Sequence, residues 1–358
     1  LLRMLQAYMG TEDFRAGLRL YFTKHQYTNT RAEDLWSAFS EISGKDISSF
    51  MNAWITQPGF PVVHVEQSDD SLALRQEQFF IGEHDDTVRS WPVPLHGVSS
   101  QIPELLEADT VTIPYNDTTP FRINKGGTAH FITHYDTATR SELLESIQTL
   151  PTIDRLHFLH EQTLLAQAGI ISSAELIPVL QQYKDETEET VWGIMALAIN
   201  ELKRFVETDE KAEKQLRTFV GKLVSSEYDR LGWNVAKNET ENDTKLRSLI
   251  ISLSLYAELP DALSTAETLY TSTPMEKLDP ELRTAILTNA VRQNISEDSI
   301  ETLFDAYKKT TNSEVRDDIT AAITSTKDIA IIEKLSDQIK DATLVRPQDF
   351  LHWYVWLL

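Results

Sequence analysis

The stretch TQPGFPVVHV at residues 56–65 decides the fold, because the chain changes its structural class there. Pro58, Gly59 and Pro61 end a helix, since proline lacks an amide donor and its ring clashes with the preceding turn. The valines that follow are β-branched and favour an extended strand. Helical periodicity comes directly before the joint, in FMNAWI at residues 50–55. We therefore predict an ordered joint between a helical domain and a β domain.

The first domain, residues 1–60, is predicted to be helical. Apolar side chains recur in it at intervals of three and four residues, which indicates amphipathic helices. Gly10 is expected to end the first helix, and Asp46 is expected to cap the last one. The segment at residues 30–33 has the form of a capping box.

Residues 61–138 change to short runs that alternate with turn residues, which is typical of a small antiparallel β-sandwich. Three prolines, Pro92, Pro94 and Pro114, should confine their runs to edges or strand ends. The sequence NKGGT at residues 124–128 lacks the spacing of a phosphate-binding loop and is interpreted as a hairpin turn.

Helical periodicity returns at residue 139 and continues to residue 358. Successive amphipathic helices with short connections predict an α-solenoid of HEAT-like helix pairs, with a further capping box at residues 172–175. No fixed sequence period accompanies these helices, so a strict repeat family is not indicated. The predicted architecture is thus multidomain and mainly α, with a sandwich at 61–138 and a truncated solenoid at 139–358.

The composition excludes several functions. The chain has 358 residues, with 55 acidic and 33 basic side chains and a net charge of −22. That balance argues against nucleic acid and anionic membrane surfaces as partners. No cysteine is present, so a thiol nucleophile and a cysteine zinc site are excluded. We expect a cytoplasmic protein. Both ends lie inside helical or apolar runs, so we expect a piece of a longer chain.

The sequence HFLHEQTLL at residues 157–165 is the strongest metal candidate. His160 and Glu161 begin like the zinc helix H-E-x-x-H, but Leu164 stands where the second histidine is needed. His157, His160 and Glu161 share one helical face, which leaves a metal site geometrically possible. The alternative, which we favour, is a partly exposed polar face of a structural helix.

Two further histidines, His130 and His134, lie on one side of a predicted strand. At about 3.3 Å per residue they are too far apart to share one metal ion, so a structural role is favoured. The sequence shows no nucleophile motif and no compelling pair of carboxylates. We therefore predict no catalytic, metal-binding or cofactor-binding residue in this chain.

A resemblance to a known family adds to this interpretation. Residues 1–63 resemble the end of the catalytic domain in the zinc aminopeptidase N family. The family pattern has an LRML helix, an F..GL..Y helix, an H.Y.N loop, a Leu-Trp helix and a W..Q.G.PV exit. The matching positions are Leu2 to Leu5, Phe14, Gly17, Leu18, Tyr21, His25, Tyr27, Asn29, Leu35, Trp36, Trp54, Gln57, Gly59, Pro61 and Val62.

The resemblance continues to the other end of the chain. TAHFITHYD at residues 128–136 is similar to the family strand TGFYRVNYD, although Ile132 replaces the usual arginine. The helical opening DR..L..D...LA.AG is matched at Asp154, Arg155, Leu159, Leu165, Ala166, Ala168 and Gly169. The LGW…E……LR stretch is matched at Gly232, Trp233, Glu239, Leu246 and Arg247.

The resemblance implies that the family's G-x-M-E-N loop, zinc ligands and transition-state tyrosine belong to sequence upstream of Leu1. This chain would then be a non-catalytic part of a zinc-dependent aminopeptidase, with zinc in the parent enzyme only. It would cap the active-site chamber and control the access of peptide substrates. Its partners would be the catalytic and N-terminal domains. The alternative is a stand-alone α-solenoid module that binds proteins or peptides without enzymatic activity.

Overall fold

The structure is a computed structural model that describes residues 1–68, 70–84, 88–117, 121–293, 297–342 and 344–357. The chain divides into two units. Unit 1 contains Leu1–Glu186 and Leu197–Leu202, and unit 2 contains Thr187–Ala196 and Lys203–Leu358. No helix within these described ranges is both long enough and apolar enough to cross a bilayer.

Unit 1 opens with the predicted helices. They are α1 (Leu2–Met9), α2 (Thr11–Lys24), α3 (Ala32–Ser43) and α4 (Ile47–Thr56). Gly10 ends α1 at φ 88°, and the Asp46 carboxylate caps α4 by accepting a hydrogen bond from the Ser49 amide, as predicted. The capping box at residues 30–33 is wrong by one residue. Arg31 is the cap residue and Asp34 accepts from its amide, while the Thr30 hydroxyl bonds the Tyr21 hydroxyl instead.

The joint after α4 is fixed by specific contacts. Trp54 is buried, and its indole Nε1 donates a hydrogen bond of 3.1 Å to the carbonyl oxygen of Pro92. Gly59 has φ +87°, a left-handed conformation that favours glycine. The joint is thus held by the segment around Pro92, and the first strand begins at Pro61.

The β region forms two sheets. Its strands are β1 (Pro61–Ser68), β2 (Ser71–Gln78), β3 (Val93–Pro94), β4 (Leu105–Leu106), β5 (Thr110–Pro114) and β6 (Ile132–Tyr135). The four-stranded sheet has the order β5-β2-β1-β6, and β3 pairs with β4 in a separate ladder. The prediction of a purely antiparallel region is wrong, because β6 runs parallel to β1. The long segment between β5 and β6 permits this, since parallel strands need a long crossover.

The prolines behave as predicted and the glycine turn does not. Pro94 ends β3, and Pro114 ends the edge strand β5. NKGGT at 124–128 is a turn, with Gly126 and Gly127 at positive φ. It is not a hairpin, because the flanking strands β5 and β6 lie at opposite edges of the sheet.

The remaining helices follow the predicted periodicity. They are α5 (Thr137–Glu145), α6 (Thr152–Gln167), α7 (Leu176–Gln181), α8 (Glu189–Val206), α9 (Glu210–Leu231), α10 (Glu241–Tyr256), α11 (Pro260–Ser272), α12 (Pro280–Gln293), α13 (Glu297–Lys309), α14 (Ser313–Thr324), α15 (Ile329–Gln338) and α16 (Phe350–Leu357). The capping box of Ser172 and Glu175 is confirmed at the short 3-10 turn before α7. The chain is thus mainly helical with small β-sheets.

Candidate functional site

Helix α6 carries the metal candidate, and its polar face is partly exposed at the two histidines, as predicted. Glu161 is buried, while His157 and His160 are half-buried. Helix α6 packs against both β6 and α7. Burial raises the pKa of Glu161 well above its usual value, against a hydrogen bond from the Thr133 amide. Burial also lowers the pKa of both histidines.

The two residues before this face have structural partners. Asp154 accepts a hydrogen bond of 2.6 Å from the Gly126 amide and pairs with Arg122 at 2.8 Å. Arg155 binds both carboxylate oxygens of the buried Glu186, at 2.7 and 2.8 Å. The Asp-Arg pair of the predicted helix opening therefore ties the NKGGT turn and the segment after α7 to α6.

The other two histidines are separated by their environments. His130 lies before β6, where its ring packs on Trp54 and Phe60 at centroid distances of 6.3 and 4.7 Å. His134 lies within β6, opposite His64 of β1. The two histidines therefore do not share a strand face as predicted, since His130 contacts aromatic rings and His134 faces His64.

A zinc ion has no matching set of ligands in the described part of the chain. Within those residues, no group of three or more histidine, aspartate or glutamate side chains is arranged to hold a metal. Glu161 is buried and has no such set of ligands around it among the described residues, so the residues of α6 do not fit a zinc site. The absence of catalytic and metal-binding residues from the whole chain stays a prediction.

Unit 2 contains a cluster of cations that the sequence did not indicate. We name it the Tyr256 cluster, and it comprises Lys203, Glu213, Arg217, Tyr256, Glu258, Arg292 and Lys327. The Lys203 Nζ lies 3.9 Å from the centre of the Tyr256 ring, and the Arg217 Cζ lies 5.1 Å from it. These are distances at which a cation is attracted to an aromatic face.

Arg217 organises the cluster. Its guanidinium donates to Glu213 at 2.8 Å, to Glu258 at 2.5 Å and to the Tyr256 carbonyl oxygen at 3.1 Å. Lys327 lies 3.9 Å from the same Glu213 oxygen. Among the members of the cluster, basic side chains thus outnumber carboxylates, although the chain as a whole has a net charge of −22.

The pKa values reflect this crowding. Burial, followed by Arg292 and Arg217, lowers the pKa of Lys203 to about 8. Burial and Arg217 also lower the pKa of Arg292, whose side chain nevertheless reaches solvent.

The Tyr256 hydroxyl is the group that points to a ligand. It is buried and has no hydrogen-bond partner among the residues that the structure describes. An anion would supply an acceptor for this hydroxyl while it neutralises the neighbouring positive charges. The cations around this hydroxyl make the cluster a candidate site for a carboxylate or a phosphate group.

Sequence reasoning missed this cluster because its members come from distant segments. Lys203 belongs to α8, Arg217 to α9, Tyr256 to the end of α10 and Arg292 to α12. The single local signal is the pair of Glu213 and Arg217, four residues apart on one helix. Such pairs are common on ordinary helix surfaces and do not by themselves indicate a site.

Two family models match the chain, one near its start and one over its helical part. Residues 1–54 match the peptidase family M1 domain. Residues 121–356, more than half of the chain, match the ERAP1-like C-terminal domain. The chain belongs to this family. The ERAP1-like segment and the M1 segment before it correspond to a C-terminal portion of M1 aminopeptidases, which confirms the resemblance inferred from the sequence.

Individual relatives agree with the family match. Aminopeptidase N of Lactococcus lactis subsp. lactis (strain IL1403) is 36% identical over 367 residues, covering 100% of this ERAP1-like chain and 43% of that protein. Aminopeptidase N of Lactobacillus helveticus is 32% identical, with the same coverage. Aminopeptidase A of Gloydius brevicauda is 25% identical over 370 residues, covering 98% of this chain and 38% of that protein. The chain spans less than half the length of these relatives.

Proposed function

We propose that the chain is a non-catalytic segment of a zinc-dependent aminopeptidase, which removes N-terminal residues from peptides. The observation that carries this proposal is the order of the two family matches, an M1 peptidase segment followed by an ERAP1-like C-terminal domain. Zinc and the catalytic residues would belong to the parent enzyme. A cytoplasmic location and the boundaries at residues 60 and 138 remain part of the proposal.

The role that we propose for the helical region is to cap the active-site chamber and to control which peptides enter. The packing in unit 2 supports a solenoid for this purpose. Helix α12 packs against both α10 and α14, and α14 packs against α16. Alternate helices are thus neighbours, as in stacked helix pairs. The stacked helices would form the wall of the chamber.

The Tyr256 cluster is our candidate for the contact with a peptide. Its basic side chains, together with the Tyr256 hydroxyl, suit a carboxylate of the peptide, either at its C-terminus or on an acidic side chain. In the alternative interpretation, a stand-alone binding module, the same cluster would hold a partner protein.

The first experiment separates the parent's activity from that of this chain. The purified chain should not hydrolyse amino-acyl amides, with or without added zinc. Hydrolysis that copurifies with the chain, and is absent from a mock preparation, would contradict the proposal. In the upstream sequence of the same gene, an H-E-x-x-H motif with a downstream glutamate is expected. Without that motif the stand-alone module becomes the better explanation.

The second experiment tests the cluster. A fluorescently labelled peptide with a free C-terminal carboxylate, and its C-terminally amidated form, are titrated with the chain and followed by fluorescence anisotropy. We expect Lys203→Met and Tyr256→Phe to weaken binding of the carboxylate form by about tenfold or more, the loss of one or two charge-assisted hydrogen bonds. The control is Lys222→Met, which removes an exposed lysine of α9. Equal losses with Lys222→Met would show a general charge effect.

A further inference from the structure

Two histidines of the sheet form a direct hydrogen bond across neighbouring strands. His64 of β1 and His134 of β6 lie opposite each other in the parallel ladder. Their Nδ1 atoms are 2.8 Å apart, and the two rings are nearly perpendicular at 88°. The His64 Nε2 lies 2.8 Å from Glu77 Oε1 on β2. One imidazole therefore links three adjacent strands.

The hydrogen-bond network determines where the protons are. The His64 Nε2–H donates to the Glu77 carboxylate, so in the neutral pair the His64 Nδ1 is an acceptor. The His134 Nδ1–H is then the donor. The separation of 2.8 Å between the two Nδ1 atoms suits this hydrogen bond. Two nitrogen ligands of one tetrahedral zinc ion would stand farther apart, at about 3.3 Å.

This geometry treats a first and a second added proton differently. A first proton is accepted at the His134 Nε2, and the bond between the rings remains. A second proton has only the His64 Nδ1 left, where it faces the His134 Nδ1–H. Two N–H groups cannot bond each other, so the doubly charged pair must separate.

Charged groups of β1, β2, α5 and the turn before α7 surround the pair. Burial lowers the pKa of His64, with Glu77 and Glu66 opposing and Arg75 assisting this effect. Burial also lowers the pKa of His134, assisted by His64, Arg140 and Arg75 and opposed by Glu175. Burial raises the pKa of Glu77, but Arg75 and His64 outweigh this, so that Glu77 stays ionised near neutral pH.

Strand β6, which the histidine bond holds, is an edge strand that is also connected to α5. Within the described residues β6 pairs with β1 alone. It leads directly into α5, whose cap is Asp136, and α5 is tied to Glu175 through Arg140 at 2.5 Å. Separation of β6 from β1 would therefore free both the sheet edge and the start of the following helix.

We propose that the His64–His134 pair is an acid-operated latch, which holds β6 on β1 until both rings are charged. This device is independent of the peptidase role proposed above. It makes the edge of the sheet the first part of unit 1 to open as the pH falls.

Hydrogen exchange on the whole chain tests the latch. Protection of the amides at residues 132–136 is compared with that of β2 at pH 7.5 and pH 5.0, after correction for intrinsic exchange rates. We expect β6 to lose protection at least about tenfold more than β2, because the open pair accepts a proton that the closed pair excludes. An equal loss of amide protection in β6 and β2 overturns the proposal.

A matched variant separates the latch from general acid effects. In His134→Asn the side-chain amide donates to the His64 Nδ1 and, after a flip, accepts from it when His64 is charged. The extra loss of protection in β6 should therefore disappear in this variant and persist in His25→Asn, which changes a histidine of unit 1 outside the sheet. An unchanged loss in His134→Asn contradicts the latch.

Nitrogen-15 NMR of labelled histidines provides the test on the unaltered chain if His134→Asn does not fold. We expect a coupling across the N–H···N bond at pH 7.5 that survives the first protonation and vanishes at the second. Two histidines that titrate independently, with no coupling at any pH, would overturn the proposal.

Discussion

Gly59 lies directly against the side chain of Gln78, and a Cβ atom built on Gly59 would overlap the Gln78 amide nitrogen. The same amide donates a hydrogen bond of 3.2 Å to the carbonyl oxygen of Pro58, and its oxygen accepts one of 2.7 Å from Arg89. Gln78 is the last residue of β2. The joint between the helical block and the sheet is thus clamped onto the second strand as well as the first.

Replacement of this glycine should be costly for two reasons. Gly59→Ala places a side chain at φ +87° and displaces the Gln78 amide from Pro58. We expect a loss of about 1 to 3 kcal/mol in the free energy of unfolding, measured by urea denaturation. Gly59→Val, with its β-branched side chain, should lose more.

Two other glycines supply the controls. Gly10 has a similar φ of +88°, but no atom lies within 4 Å of the position that an added methyl group would take, so Gly10→Ala reports the backbone strain alone. Gly193 lies in a helix with open space, so Gly193→Ala should stabilise the chain by about 0.5 to 1 kcal/mol. A loss at Gly59 no larger than the loss at Gly10 would remove Gln78 from the explanation.

The ion pair of Arg155 and Glu186 should contribute more than a surface pair. The Glu186 side chain is 1% exposed and the Arg155 side chain is 13% exposed. Removal of one partner leaves the other charge buried, which costs about 3 to 5 kcal/mol. We expect this loss for Arg155→Ala and for Glu186→Ala, and a double variant that is much more stable than the sum of the two losses predicts.

The control for that double-mutant cycle is the pair of Glu241 and Lys245. These residues lie four apart on α10, 2.8 Å from each other, with side chains that are 83% and 59% exposed. Water screens such a pair, so its removal should have little measurable effect on unfolding. If both cycles give the same coupling, the buried position of Arg155 is not what makes its pair important.

Local signals in the sequence were sufficient for most of the helical fold. Gly10 and Asp46 act where the pattern predicts, because a cap depends on one residue and the turn beside it. The prediction at Thr30 is wrong by one residue because a tertiary contact, from the Tyr21 hydroxyl, engages its side chain. Thr30 and Arg31 are both possible cap residues, and the contact of Thr30 with Tyr21 leaves Arg31 as the cap.

Pairing across the sheet was beyond the sequence pattern. The direction of β6 depends on which edge of the sheet its long connection reaches, and nothing in the four residues of β6 specifies that edge. For the same reason the pattern relates His134 to His130 on its own strand, whereas its partner is His64, 70 residues away. The Tyr256 cluster is a comparable case, since its members come from several helices that are distant in the sequence.

Glu161 gives a prediction in which a carboxyl group destabilises the chain at neutral pH. Its pKa is raised well above the usual value because it is buried beside β6. A carboxyl group with a raised folded-state pKa contributes its stability below the unfolded-state pKa, near 4.5, and loses it as the pH rises through the folded-state value. Glu161→Gln removes the ionisable group and keeps an oxygen that can accept from the Thr133 amide.

We therefore expect Glu161→Gln to be more stable than the unaltered chain at pH 7.5, by roughly 1 to 3 kcal/mol, the cost of leaving a charged or polar group buried without full compensation. The gain should shrink towards zero as the pH falls below about 4.5, where both side chains are neutral. Urea unfolding across about pH 4 to 8 measures the difference, with Glu142→Gln on the exposed surface of α5 as the control. A gain that stays constant over this range would show that the carboxyl group does not titrate as its burial requires, and a loss at pH 7.5 would show that its charge is compensated inside the protein.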